Sequence, residues 1–224
     1  SSPTVKQMVF DLVATPSMSS TLAQFDLSNH EVVNLLANWL DELGLSVRTK
    51  PIPGIPGKEN LIATMGKGTE GLILSGHTDT VPLDEHLWQS DPFKISEVDS
   101  RWYGLGTCDM KCFFALIIEA ISPLLNRQFK HPLIILATAD EESTMSGIRA
   151  LNKEDIRNSK YAVIGEPTSL SPINLHKGMM MLRTDIHGES GHSSNPELGV
   201  NALNASASII NELKDFGDQL KANF

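Results

Sequence analysis

Apolar residues recur along this chain in two rhythms, and the switch between them predicts its elements. Between 29 and 43, Val32, Leu35, Leu36, Trp39, Leu40 and Leu43 return at helical spacing, which puts them on one face of a helix. Ser28 stands where an N-cap belongs, and Gly44 where a glycine ends such a helix. Short apolar runs then appear at 45–47, 61–65, 72–75, 133–138 and 161–164. Each has strand length, and most have Gly, Pro or Asn nearby. A second helical pattern over 110–125 separates the third and fourth runs, with Phe113, Ile117, Ala120, Ile121 and Leu124 on one side. Strands alternating with helices predict an α/β sheet covered by helices.

The rhythm changes near residue 177. Residues 179–187 read as one more strand, the loop GESGHSSNPELG follows, and a helix runs from about 200 onward with Leu203, Ala207, Ile210, Leu213 and Leu220 along one side. One strand and one helix cannot bury each other. The expected division is therefore a first domain over 1–177 and the beginning of a second over 178–224, with the 224 residues ending inside it.

Composition narrows the function classes. Hydrophobic residues at 41%, with 16 glycines besides, supply a globular core and exclude disorder as the main state. Lys and Arg number 18 against 27 Asp and Glu, a net charge of −9, which argues against a nucleic-acid partner. Two cysteines exclude a disulfide scaffold and fit a reducing compartment. The longest apolar runs, FFALII and LIILA, fall well short of the ~18 residues that span a bilayer. The opening SSPTVKQM lacks the basic and apolar regions of a signal peptide. The expectation is a cytoplasmic protein with neither membrane nor nucleic acid as partner.

Candidate chemistry gathers just after the expected strands, where open α/β sheets place their ligands. GHTDTVP (76–82) carries His77 and Asp79, YGLGTCDMKCFFA (103–115) carries Asp109, ATADEES (137–143) carries Asp140, Glu141 and Glu142, and IGEPTS (164–169) carries Glu166. Each has an ordinary structural explanation by itself: a surface turn, a helix N-cap, a solvated acidic loop, an exposed Glu before proline. Together they put His or carboxylate at successive strand ends. The chain has no G-x-S-x-G, no Walker loop and no dinucleotide fingerprint. Mixed imidazole and carboxylate ligation suits Zn²⁺ or Mn²⁺, and two such ions need a bridging carboxylate and activate water for hydrolysis.

The ordered series H-T-D-x-V-P, Y-G-x-G-x-x-D-M-K, A-D-E-E, G-E-P-T, H-K-G and G-x-x-G-H-S-S resembles the family of dinuclear zinc hydrolases that contains acetylornithine deacetylase, succinyl-diaminopimelate desuccinylase and carboxypeptidase G. ATADEE, IGEPTS and LHKG look closest to its acetylornithine deacetylase branch. The resemblance implies a three-layer α/β zinc-peptidase-like catalytic domain with the start of an inserted α+β lid and dimerisation domain. It implies two Zn²⁺ ions, with Co²⁺ or Mn²⁺ as substitutes. His77 and Glu166 would bind the first metal, Glu142 the second, and Asp109 would bridge them. Asp79 would orient His77, Glu141 would be the general acid/base, and His192 would stabilise the oxyanion in the partner subunit of a homodimer. The remaining metal ligand would be a His beyond residue 224. The implied reaction is hydrolysis of an N-acyl amino acid, N-acetylornithine to ornithine and acetate, a step of arginine biosynthesis. A desuccinylase or dipeptidase is the alternative within the family, and a non-catalytic metal-binding or dimerisation fragment the alternative outside it. One departure stands out: Cys112 follows D-M-K where the family usually has Gly.

Overall fold

The computed structural model describes residues 3–178 and 182–223. It divides into two compact units, Ser1–Pro172 and Ile173–Phe224. The first holds helices α1 (Val5–Val13), α2 (His30–Glu42), α3 (Cys112–Ile121), α4 (Ser146–Ala150) and α5 (Lys153–Ile156). Its strands are β1 (Ser46–Pro51), β2 (Glu59–Met65), β3 (Gly71–His77), β4 (Ser96–Val98), β5 (Arg101–Tyr103), β6 (Leu133–Thr138) and β7 (Ser159–Ile164).

Five strands form one mixed sheet in the order β1-β2-β6-β3-β7. β1, β2 and β6 pair antiparallel, whereas β6, β3 and β7 run parallel. The carboxyl ends of β6, β3 and β7 therefore lie at one edge, and the amino end of β2 joins them there. Every residue of β6 is buried, as expected for a strand covered on both faces. Alternation then sorts the side chains. Leu61, Ala63, Leu133, Ile135 and Ala137 meet α1, α2 and α3 in the main core, while Ile62, Ile73, Ile134 and Leu136 face the other way with Leu151. On that second side Asp155 of α5 pairs with Arg48 and Lys50 of β1 at 2.7 and 2.5 Å. Helices on one face and the α4–α5 segment on the other give the expected mixed α/β architecture.

Several boundaries differ from the sequence pattern for physical reasons. Ser28 is not the N-cap of α2; Asn29 occupies that place, and its side chain makes no capping bond. Asn29 is instead fully buried, donating to the Glu59 carbonyl and Thr78 Oγ1 and accepting from Glu59 N. Tertiary bonding outcompeted the local cap, although Ser28 Oγ still accepts from His30 N at 3.1 Å. Helix α1, capped by Thr4, and the β4–β5 hairpin had no counterpart in the pattern.

In the second unit, α6 (Ala202–Asn223) spans the expected helix. Of the strand expected over 179–187, Met179, Met180 and Met181 lie outside the described residues. Residues 182–187 form no strand: no neighbour among the described residues takes up their backbone groups, and a strand exists only through its pairing. The bridge Glu189↔Val200 closes the loop that carries His192.

Candidate metal centre

The shared strand edge gathers the candidate ligands. His77 is the last residue of β3, Glu141 and Glu142 follow β6, Glu166 follows β7, and Asp109 lies in the turn before α3. Ligand atoms of His77, Glu141 and Glu142 all lie within 4.8 Å of one another, as do those of His77, Asp109 and Glu166. His77 is common to both sets, so the two carboxylate groups flank one buried imidazole.

His77 is held in one orientation. Its Nδ1 lies 2.9 Å from the backbone carbonyl oxygen of Asp79. A carbonyl only accepts, so Nδ1 carries the proton and Nε2 faces outward, 3.0 Å from Asp109 Oδ1. This is the tautomer a metal-binding histidine needs. The main chain of Asp79, rather than its carboxylate, provides the bond; Asp79 Oδ1 is 3.7 Å from Nδ1.

The Asp79 carboxylate turns instead to the acidic loop. Its Oδ1 accepts from Glu141 N at 3.1 Å, its Oδ2 accepts from Glu142 N at 3.0 Å, and Ser19 Oγ donates to Oδ2 at 2.7 Å. With no solvent exposure, it is a fixed anchor that sets Glu141 and Glu142 side by side. The base of the same loop is pinned by Asn60, which accepts from Ala139 N and donates to the Gly147 carbonyl. Gly147 is there because any side chain would collide with the Ala139 backbone and Asn60 Oδ1. Gly165 similarly lets the end of β7 lie against the ring of Phe113.

The charges are crowded. Burial pushes Glu142 up to about 7, helped by the carboxylates of Asp109, Glu141 and Asp79 and opposed by His77. Glu166 is raised as well, by burial and then by Asp109, Glu141 and Asp79 against the pull of His77. Burial alone would lower His77, but Asp79, Glu166 and Glu141 prevail and raise it. Such mutual repulsion is what a bound divalent cation relieves. One imidazole nitrogen with several carboxylates is also a donor set suited to Zn²⁺ or Mn²⁺, so the residues present fit a metal.

Support comes from residues to which the sequence assigned no role. Lys111, nearly fully buried, donates to the Thr15 carbonyl and to Ser17 Oγ, and Ser17 donates to the Thr78 carbonyl, bracing the H-T-D segment from behind. Burial lowers Lys111 to about 7 despite the nearby Asp79. The polar triplet Lys58-Glu59-Asn60 directly before the apolar run LIATM was the available signal for the Asn60 clamp. Cys112 is half-buried and Cys108 exposed, both free thiols. Burial, with Cys108 nearby, pushes Cys112 up to about 11, which keeps it protonated and a poor ligand.

His192 belongs to the second unit and is exposed. Its Nδ1 accepts from Ser194 N at 3.2 Å and lies 2.7 Å from Ser194 Oγ. The main-chain donor leaves the proton of the neutral ring on Nε2, ready to be donated.

Known proteins share this arrangement of sequence and fold. The chain is 50% identical over 222 residues to acetylornithine deacetylase from Proteus mirabilis (strain HI4320), covering 99% of this chain and 57% of that protein. Identity to acetylornithine deacetylase from Photorhabdus laumondii subsp. laumondii is 47%, over 99% of this chain and 58% of that one. The chain thus spans a little over half the length of these relatives. Among solved structures, a tripeptidase from Staphylococcus aureus subsp. aureus Mu50 shares the fold, with TM-score 0.62 and 20% identity over 92% of this chain and 55% of that one. The pattern of peptidase family M20/M25/M40 matches residues 73–216, a stretch that begins in β3 and takes in His77, Asp109, the acidic loop, Glu166 and His192. With more than half its length so matched, the chain belongs to peptidase family M20/M25/M40.

Proposed function

We propose that the intact protein hydrolyses the amide bond of an N-acyl amino acid, N-acetylornithine foremost, at a site holding two Zn²⁺ ions. The observation that carries this reading is the placement of Glu141 and Glu142 side by side, each backbone N–H on one oxygen of the buried Asp79 carboxylate. In this reading Glu142 is the ligand of the pair, and Glu141 beside it is left for proton transfer. The name borne by the relatives at 47–50% identity supports the substrate.

His77 and Glu166 would hold one metal and Glu142 the other, with Asp109 shared between them. Metal held there would supply Lewis acidity for the acyl carbonyl and an attacking water with its pKa lowered towards ~7. Glu141 takes the proton of that water and later delivers it to the leaving amine, the two halves of general acid–base catalysis. Asp79 keeps Glu141 within reach and, through its carbonyl, keeps His77 Nε2 free to ligate. His192 Nε2–H donates to the developing oxyanion of the partner subunit. Residues 178–224 form part of a lid and dimerisation domain. The exposed apolar row of α6, Leu203, Ile210, Leu213 and Leu220, supports a homodimer. No helix among the described residues is long and apolar enough to cross a membrane, and two free cysteines fit a cytoplasmic location.

The test is ornithine release from N-acetylornithine by the intact, Zn²⁺-loaded protein before and after chelation. Turnover that disappears with the metal and returns on its replacement is expected. Faster cleavage of N-succinyl-diaminopimelate or of a dipeptide would reassign the substrate, and no hydrolysis of any of them would support the non-catalytic alternative.

A further inference from the structure

We propose that Lys58 is a positioning residue for the two catalytic glutamates, acting through Asp140 to fix the turn from which Glu141 and Glu142 project. The inference rests on the roles proposed above for those glutamates.

Topology brings Lys58 to this place. Because β2 runs antiparallel to β6 with Leu61 opposite Ala137, the residue just before β2 lies beside those that follow β6. Lys58 is buried there, its Nζ 2.6 Å from Asp140 Oδ1 and 2.8 Å from Asp26 Oδ1. Burial disfavours the ammonium, but Asp140 and Asp26 outweigh it and keep Lys58 charged.

Asp140 is the hinge of the acidic loop. Its φ is +55°, a left-handed conformation that is uncommon for a residue with a side chain, though Asp adopts it more readily than most. Three atoms of Asp140 are engaged: Oδ1 with Lys58, Oδ2 with Ser146 Oγ at 2.6 Å, and the carbonyl with Met145 N at 2.6 Å. The next two residues are Glu141 and Glu142, so a change of backbone angle at Asp140 turns both together.

Asp26 closes the circuit. It sits in the segment whose Ser19 donates to the Asp79 carboxylate, and it also accepts from Ser20 N at 3.1 Å. One path therefore runs from Asp79 through Ser19 and its loop to Asp26, Lys58 and Asp140, then through Glu141 and Glu142 back to Asp79. The Lys58 ammonium joins the two halves of this ring.

A purely structural role, neutralising Asp140, predicts something different, and two variants separate the readings. Lys58→Met strands the Asp140 carboxylate, whereas Lys58→Met/Asp140→Asn removes the stranded charge; Asp26, 30% exposed at its side chain, is left to solvent. Each intact variant is titrated with Co²⁺ followed by its visible absorption, melted, and assayed with N-acetylornithine. In both variants we expect Co²⁺ affinity and kcat to fall by about 10–100-fold, the usual cost of disturbing groups behind metal ligands, with KM changed by less than about threefold. The double variant should regain much of its melting temperature without regaining Co²⁺ affinity. Should Lys58→Met fail to fold, the double variant decides alone. Wild-type Co²⁺ affinity in the double variant would overturn the proposal. Because that readout needs no substrate, it stands apart from the substrate assignment: wild-type protein inactive on N-acetylornithine would sink the functional reading, not this one.

Discussion

The loop after β6 and the loop that carries His192 are both short, polar and expected to serve catalysis, yet they are built on opposite principles. The first is pinned by buried partners drawn from distant sequence: Asp79 on two backbone donors, Asn60 across its base and Lys58 on its hinge. Among the described residues the second is tied by near neighbours, with Glu189 bridging Val200, Asn195 N donating to the His192 carbonyl and Ser194 N to the His192 ring. The helices behind them differ in the same way. α3 buries Phe114, Ala115, Ile117, Ile118 and Ile121, whereas α6 has no buried residue. The difference teaches that groups which must meet a metal within tenths of an ångström are placed on a rigid frame.

The sharpest way to break this contrast is to remove the proton carrier from the rigid loop. Glu141→Ala should lower kcat by ~10²–10⁴, the worth of general acid–base help, while metal content by elemental analysis stays near that of the unaltered protein. Loss of metal would make Glu141 a ligand. His192→Ala should cost ~10²–10³ in kcat, the value of one oxyanion donor, with no change in metal content or melting. Mixing intact His192→Ala chains with intact Glu141→Ala chains sharpens the point. If the donor reaches across subunits, heterodimers regain one working site; if it acts within its own chain, mixing restores nothing.

How much of this was legible beforehand follows the same divide. β6 was readable to the residue because a strand buried on both faces is an unbroken apolar run. The ends of α2 and α3 were less so. Asn29 was drawn into a buried bond with Glu59 and Thr78 rather than capping its helix, and α3 begins at Cys112, leaving Asp109 outside it. The strand expected to run on from Met179 failed over 182–187 because pattern alone supplies no neighbour to pair with. Of the candidate ligands, His77, Glu141, Glu142 and Glu166 were picked from places after strands and Asp109 from the start of a helical pattern, and the fold brings them together. Lys58, Asn60 and Ser19 were not legible, because their partners lie tens of residues away and only the fold brings them together.

Stability should show the contrast directly. Leu36→Ala, fully buried in the first unit, is expected to cost ~2–5 kcal/mol in denaturant unfolding. Glu212→Ala, exposed on the side of α6 away from its apolar row, should stay within about 0.5 kcal/mol. Equal losses would mean that α6 is packed. A further expected effect is on pH dependence. Glu142 is pushed up to about 7 and His77 and Glu166 are raised above their ordinary values. A ligand must lose its proton before it binds metal, so protons and metal compete. Affinity for Co²⁺ should be flat well above pH 7 and fall as pH drops through it, by about tenfold per unit for each proton displaced. An affinity unchanged down to pH 5 would show that these groups do not ligate.

The central claim is that one buried imidazole and the carboxylates at a single strand edge form the metal centre, with Glu141 beside it but off the metal. Anomalous diffraction from crystals of the intact protein grown with Zn²⁺ tests this most directly. Zinc peaks are expected ~2.0–2.2 Å from His77 Nε2 and from the carboxylates of Asp109, Glu142 and Glu166, with Glu141 outside bonding distance. Zinc bound elsewhere, or Glu141 ligating in place of Glu142, would contradict it.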